Sequence, residues 1–514
     1  MPAQLRSAAI NGVEAIPIDI EVEVLAGLPS FTVVGLGDTA VKESKERLTA
    51  ALTNIGYTPP RRKTIVSLAP ASLKKEGSLY DVPITLGFLS ASGQVQFDEA
   101  RVRGAWFVGE LGLDGTIRPV RGVLPIALAA ARTGVTALYV PAGNADEARA
   151  VADQVPVFAV GSLQELVNHL ATAEQPRLPQ LLPEVDPVGE FPVPDIDFAD
   201  VRGQEQAKRA LLIAAAAGHN VLLIGSPGTG KTLLARALAG ILPPLDRDES
   251  YVVTSLYSIA GELPAGTGLM RTRPFRSPHH GASSVALVGG GAHPKPGEVS
   301  LAHLGVLFLD ELPEFSRAAL DQLRQPIEDG VITVSRSSHT VRFPARSILV
   351  GAMNPCKCGW LASDRRECQC APGDVLRYQR RVSGPLLDRF DVHLVVNDVP
   401  VEQLLTGERQ PPTSKQLAES AQAARALQLT RQGKTNASLT VKEMQVYCAV
   451  DQPGRKLLTQ AEERFHLSSR GVHRVLKVAR TIADLAGQPH ITPEHLAEAM
   501  QYREQVQAAL PDFA

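Results

Sequence analysis

Three short runs dominate the centre of the chain: "NVLLIGS" (220–226), "GVLFLDE" (305–311) and "RSILVGAMN" (346–354). Each is almost wholly apolar and ends abruptly in polar residues. Strands without polar alternation fit a parallel sheet covered on both faces, so residues 196–400 are expected to form an α/β core. Before it, residues 1–172 mix alternating runs such as "IDIEVEVL" with the helical-period stretches "TAVKESKERLTAALTNIG" and "LPIALAAARTG", the pattern of a separate α/β domain. A proline-rich stretch, 173–195, predicts a semi-rigid linker. Residues 401–514 carry helical periodicity and cap signals such as "TPEH", which predict a helical domain.

Composition narrows the class. A length of 514 residues exceeds what one core organises. Hydrophobic residues make up 44% and charged residues 21%, as in ordinary globular proteins. The net charge of −2 excludes a wholesale basic coat but leaves room for a local basic face. No apolar run approaches a bilayer span, and the N-terminus is acidic without a signal core. A cytoplasmic protein is expected, in which the five cysteines suggest metal or free thiols before disulfides.

The chemistry gathers where the apolar runs end. "GSPGTGKT" places Gly225, Ser226, Pro227, Gly228, Thr229, Gly230, Lys231 and Thr232 between a strand and a helix. Glycines there let backbone N–H groups wrap phosphate oxygens at a helix N-terminus. Lys231 is expected to reach the outer phosphates of ATP and Thr232 to ligate Mg²⁺. Asp310 ends the second run, where a carboxylate can hold the same ion, and Glu311 can orient and deprotonate an attacking water. Asn354 ends the third run and either touches the γ-phosphate or merely opens an Asn-Pro turn.

Together with "GPLLDRFD", these segments resemble the AAA+ ATPases, specifically their magnesium-chelatase-like branch. With "RPFRSPHHGAS", "NPCKCG" and "KVARTIADLAG" they resemble most closely the ComM/YifB family of bacterial competence proteins, over nearly the whole chain. The resemblance implies a homo-hexamer in which Arg389 is an arginine finger for a neighbouring subunit's ATP. It makes Arg470, or Arg474 one helical turn on, a second sensor on the lid. It implies a pore-lining hairpin, "GVITVSRSSHTVRFPA", whose tip residues Arg336 and His339 would meet DNA. Basic tips suit backbone tracking, although a solvated tip has the same composition. His279 and His280 lack further partners at ligand spacing and are expected to be structural or pore-facing.

Residues 1–172 resemble a Lon-protease-like domain of the ribosomal S5 domain 2-like fold. Two alignments, however, put Tyr80 where the serine nucleophile belongs and Leu124 where the lysine belongs, with Ser78 displaced. No peptidase activity is expected, since a nucleophile needs its base in register. Cys356, Cys358, Cys368 and Cys370 form C-x-C-x9-C-x-C within an insertion presenting Trp360, Arg365 and Arg366. Four thiolates suit a closed structural Zn²⁺ site, against free reduced thiols. Cys448 stands apart as a core residue. The family expectation is a DNA helicase or branch-migration motor acting in recombination during natural transformation. A chelatase-type motor and a protein-remodelling scaffold are the alternatives.

Overall fold

The computed structural model describes residues 2–171, 177–183, 196–264, 266–291, 294–335, 340–361, 363, 366–402, 411–465 and 467–509. The chain divides into two compact units, one of residues 1–190 with 247–271, the other of 191–246 with 272–514. Most of the 173–195 linker lies outside the described residues.

The first unit is built on a seven-stranded sheet. Its order is Ser30–Val34, Lys63–Ala69, Glu14–Leu25, Ala3–Asn11, Trp106–Phe107, Leu138–Pro141, Val157–Val160. Glu14–Leu25 pairs antiparallel with both Ala3–Asn11 and Lys63–Ala69, and the remaining neighbours pair parallel. Helix Asp81–Ala91 is buried throughout Asp81–Leu89 and lies so close to the sheet that a Cβ on Gly87 would sit 2.6 Å from Val22 Cγ2. The helix Arg247–Ala260, which follows the phosphate-loop helix in sequence, packs in this unit. Its Ser258 hydroxyl donates to the buried Glu147 carboxylate at 2.6 Å, and Arg247 reaches Asp153 at 3.1 Å. Burial pushes the Glu147 carboxyl up, against the donors Ser258 and Asn144.

The second unit holds a five-stranded, wholly parallel sheet. Its spatial order is Phe275–Arg276, Val306–Leu309, Ile348–Met353, Val221–Ile224, Val392–Val395. The apolar runs have no polar alternation because both faces are covered. Val221, Leu223, Val306, Phe308, Ile348 and Val350 enter one core; Leu222, Ile224, Leu307, Leu309, Leu349 and Met353 enter the other. Gly351 admits no side chain, since a Cβ would lie 2.9 Å from the Phe390 ring. The hairpin Val331–Ser335/Thr340–Pro344 pairs antiparallel.

Helices Ser414–Gln432, Val441–Tyr447, Gln452–Phe465, Ser469–Leu485 and Pro493–Ala509 complete this unit. Buried polar groups tie them to the sheet. His219 lies 3.3 Å from Asp391 and 2.8 Å from the Thr481 hydroxyl. Burial pushes the Asp391 carboxyl up, but His219, Arg474 and Lys477 hold it down at about 2. Asp484 takes bonds from both Arg431 and Arg480. No helix among the described residues is long and apolar enough to cross a membrane.

The first unit's own buried pair gives a stability prediction. Arg47 donates to Asp81 at 2.6 and 2.9 Å, and Asp81 is 1% exposed. Burial raises the Asp81 carboxyl and Arg47 opposes that rise. Arg47→Met should cost about 3 kcal/mol at neutral pH by leaving a buried carboxylate unpaired. A carboxyl whose folded pKa is raised takes up its proton more readily when folded, so the deficit should shrink as pH falls. Urea unfolding across pH checks both statements.

Candidate active site

The three apolar strands end side by side, which brings their terminal polar residues together at the sheet's carboxyl edge. After Ile224 the chain must leave the sheet sharply. A Cβ on Gly225 would stand 2.4 Å from the Val396 carbonyl oxygen, and Gly228 and Gly230 take φ of 83° and 89°, which glycine adopts without strain. Ser226 and Thr229 are buried, and the Thr229 hydroxyl closes the loop on the Ser226 carbonyl at 2.9 Å; Pro227 is exposed.

Helix Lys231–Gly240 starts at the loop's lysine. The Lys231 ammonium is buried and donates to the Gly225 carbonyl at 2.7 Å, the Ser226 carbonyl at 2.8 Å and Asn354 Oδ1 at 3.1 Å. Burial lowers its pKa to about 8, while Asp310 and Asp398 pull it back up. An ammonium held by neutral oxygens in a desolvated site is poised to exchange them for phosphate oxygens, which bring a compensating charge.

Next to it, Thr232 donates to Asp310 Oδ2 at 2.8 Å, so the hydroxyl and carboxylate expected to share a Mg²⁺ ion stand together. Both are hard oxygen donors, which suits that ion. The Glu311 N–H bonds Asp310 Oδ1 at 2.9 Å. Glu311 itself takes φ 51°, a left-handed conformation unfavourable for a side-chain-bearing residue. Its carboxylate is exposed and meets His280 Nδ1 at 3.1 Å. His280 packs against His279, with ring centroids 4.1 Å apart and planes tilted by 34°, and sets its edge toward Phe315 at 6.4 Å. The partnership with Glu311 was not foreseen from sequence. "SPHHG" and "LDE" lie some thirty residues apart, and only the parallel pairing of Phe275–Arg276 with Val306–Leu309 brings them together.

Arg389 stands elsewhere. Its backbone carbonyl accepts from Asn220 at 2.8 Å, immediately before strand Val221–Ile224, whereas the phosphate loop follows that strand. The strand alone separates the two by about 13 Å. The Arg389 guanidinium pairs with Glu328 at 2.7 Å and with the Pro385 carbonyl at 2.7 Å. Arg470 is exposed, and its guanidinium has no hydrogen bond or ion pair among the described residues. Arg474 is largely buried and donates to the Phe390 carbonyl at 3.1 Å. Arg336 and His339 lie outside the described residues, as does Arg365.

The sulfurs of Cys356, Cys358, Cys368 and Cys370 lie within 4.8 Å of one another. Burial pushes the Cys358 thiol up, but backbone N–H groups of Trp360 and Gln369 bring it down to about 6. The Arg366 guanidinium lies 5.8 Å from the Trp360 ring centroid, and Cys448 is buried in the helical region's core. In the first unit, Tyr80 and Leu124 are buried. Ser78 donates to the Glu110 carboxylate, and Lys75 donates to the Pro70 carbonyl.

A parallel sheet with a phosphate loop, a Thr–Asp pair and a strand-end Glu defines a phosphate-loop nucleotide hydrolase. Family comparison agrees. Residues 197–404 match the model described as "Magnesium chelatase, subunit ChlI", residues 20–144 "Subunit ChlI of Mg-chelatase", and residues 411–503 "Magnesium chelatase, subunit ChlI C-terminal". The chain is 44% identical to the competence protein ComM of Haemophilus influenzae over 97% of both chains. It is 42% identical to YifB of Escherichia coli over 97% of this chain and 96% of that one. The magnesium-chelatase subunit ChlI of Nephroselmis olivacea is 27% identical over 55% of this chain and 87% of its own. The chain belongs to the ComM/YifB family of magnesium-chelatase-like AAA+ proteins, and membership implies an ATPase.

The contact of His280 with Glu311 predicts a separation of binding from turnover. His280→Ala should slow ATP hydrolysis about tenfold by freeing the Glu311 carboxylate, while nucleotide affinity changes less than about twofold. Steady-state turnover beside titration with a fluorescent ATP analogue measures the two effects.

Proposed function

We propose that the chain is an ATP-driven DNA motor, a helicase or branch-migration enzyme that works as a homo-hexamer in recombination during natural transformation. The observation carrying the hydrolysis step is the convergence of Lys231, Thr232, Asp310, Glu311 and Asn354 at one sheet edge. Lys231 and the backbone N–H groups of Gly228, Gly230, Lys231 and Thr232 hold the phosphates of ATP, and Thr232 and Asp310 hold the Mg²⁺ that neutralises them. Glu311 orients and deprotonates the attacking water. Asn354, already on Lys231, reads the γ-phosphate through its amide.

Arg389 acts in trans. Its position before the strand that the phosphate loop follows supports this reading, because the phosphates within its reach belong to another copy. Its pair with Glu328 would open on assembly. Arg470 is favoured over Arg474 as the lid residue, since Arg474 is engaged with Phe390 and Asp391. Residues 1–172 are a non-peptidase module of Lon-like ancestry. Its Ser78 and Lys75 bond to a carboxylate and a carbonyl and do not form a dyad. The DNA assignment draws on the relative named a competence protein, which matches end to end; the basic tip with Arg336 and His339 is its proposed contact.

A chelatase-type motor is the second reading, favoured by the three subunit ChlI matches. Turnover with and without single-stranded and branched DNA, together with strand displacement, separates the two. The DNA-motor reading expects stimulation and unwinding, lost in Lys231→Ala, with Glu311→Gln slowing hydrolysis about a hundredfold while nucleotide still binds. Turnover indifferent to every DNA at low salt, with no displacement, would leave the chelatase-type reading standing.

A further inference from the structure

The four-cysteine insertion is rooted at the active site. It begins two residues after Asn354, and its root is fixed by Gln379, a buried side chain that donates to the Pro355 carbonyl at 2.9 Å. Cys356 lies 3.3 Å from Cys358 and 3.6 Å from Cys368, and Cys358 lies 3.6 Å from Cys368, sulfur to sulfur. These separations far exceed a disulfide bond of about 2.05 Å. They approach the edge of about 3.8 Å in a tetrahedron whose metal–sulfur bonds are about 2.3 Å. Backbone N–H groups of Gly359 and Leu361 point at Cys356, those of Trp360 and Gln369 at Cys358, and that of Cys370 at Cys368. Such N–H groups orient the sulfurs toward one centre, as outer-shell groups do around a bound metal. Four soft donors leave no open coordination position, which suits a structural rather than a catalytic ion.

The turn between the first cysteine pair and the rest of the insertion touches the phosphate loop. Gly359 is buried at φ +84°, and a Cβ there would lie 2.5 Å from Pro227 Cδ and 3.8 Å from Asn354 Cγ. The backbone of the cysteine loop therefore rests against Pro227, in the middle of "GSPGTGKT". Gly359 directly follows Cys358, so an ion that fixes the Cys358 sulfur also fixes the turn that rests on Pro227.

We propose that Cys356, Cys358, Cys368 and Cys370 bind one zinc ion, and that the zinc-closed turn, through Gly359, braces the phosphate loop at Pro227 so that metal occupancy sets nucleotide affinity. The coupling rests on the nucleotide-binding reading given above; the metal site does not. By linkage, bound nucleotide tightens zinc by the same factor that zinc tightens nucleotide.

The test uses the full chain. Metal content is measured on the purified protein, and Co²⁺ replacement is followed by the absorption bands of tetrahedral cobalt thiolates. A fluorescent ATP analogue is then titrated into zinc-loaded, chelator-stripped and zinc-restored protein, and into Gly359→Ala with its zinc in place. The proposal expects one zinc per chain and affinity weakened about tenfold on stripping and regained on restoring zinc. Gly359→Ala should keep its zinc yet bind nucleotide comparably weakly, which holds the proposal to account even if stripped protein unfolds. Protein without zinc, iron in its place, nucleotide affinity unchanged in stripped protein that stays folded, or unchanged affinity in zinc-loaded Gly359→Ala would each overturn it. Zinc-loaded protein that binds no nucleotide would overturn the coupling by way of the nucleotide reading, with the metal count telling the two failures apart.

Discussion

The Lys231 ammonium is the constraint around which the second unit is arranged. A buried cation without partners is costly, and this one is satisfied by two carbonyls of its own loop and the amide of Asn354. Those oxygens come from adjacent strands, so the ammonium is held only if Val221–Ile224 and Ile348–Met353 keep their register. That register in turn needs both faces of the sheet covered, which is why the strands are uninterrupted Val, Leu, Ile and Phe. Sheet, loop and helix Lys231–Gly240 thus fold around one charge that neutral oxygens hold but do not neutralise.

The same economy recurs where the helical region meets the sheet. Asp391 is gripped by His219, with Arg474 and Lys477 nearby, and Asp484 by Arg431 and Arg480. Removing either partner of such a group strands the other, so these pairs fix one arrangement more than they add stability. Arg470, one turn before Arg474 on the same helix, remains outside this network. That difference leaves the Arg470 side chain exposed, while Arg474 is committed to the fold.

Much of this was legible in the sequence because the signals are local. "GSPGTGKT", "FLDE" and "AMN" each combine an apolar run with its polar terminus, and the run's character already implied a sheet buried on both faces. What escaped reading joins distant segments. Nothing in "SPHHG" states that His280 will meet Glu311, since that contact depends on one parallel strand pairing. Gly359 gives no sign of resting on Pro227, because a close approach of two backbones leaves only a glycine as its mark. Helix Arg247–Ala260 lies between the phosphate loop and Asp310 in sequence, yet packs with the first unit. The cysteine spacing grouped four thiols but did not show their position beside Asn354 and Lys231.

The most direct measurement is a structure of the assembled protein with Mg²⁺ and a non-hydrolysable ATP analogue. The account predicts that Lys231 leaves the Gly225 and Ser226 carbonyls for the outer phosphates, with Thr232 and Asp310 on the metal. It also predicts that Arg389 of an adjacent copy exchanges Glu328 for the γ-phosphate. Nucleotide bound elsewhere, with Lys231 still on its own carbonyls, would contradict it.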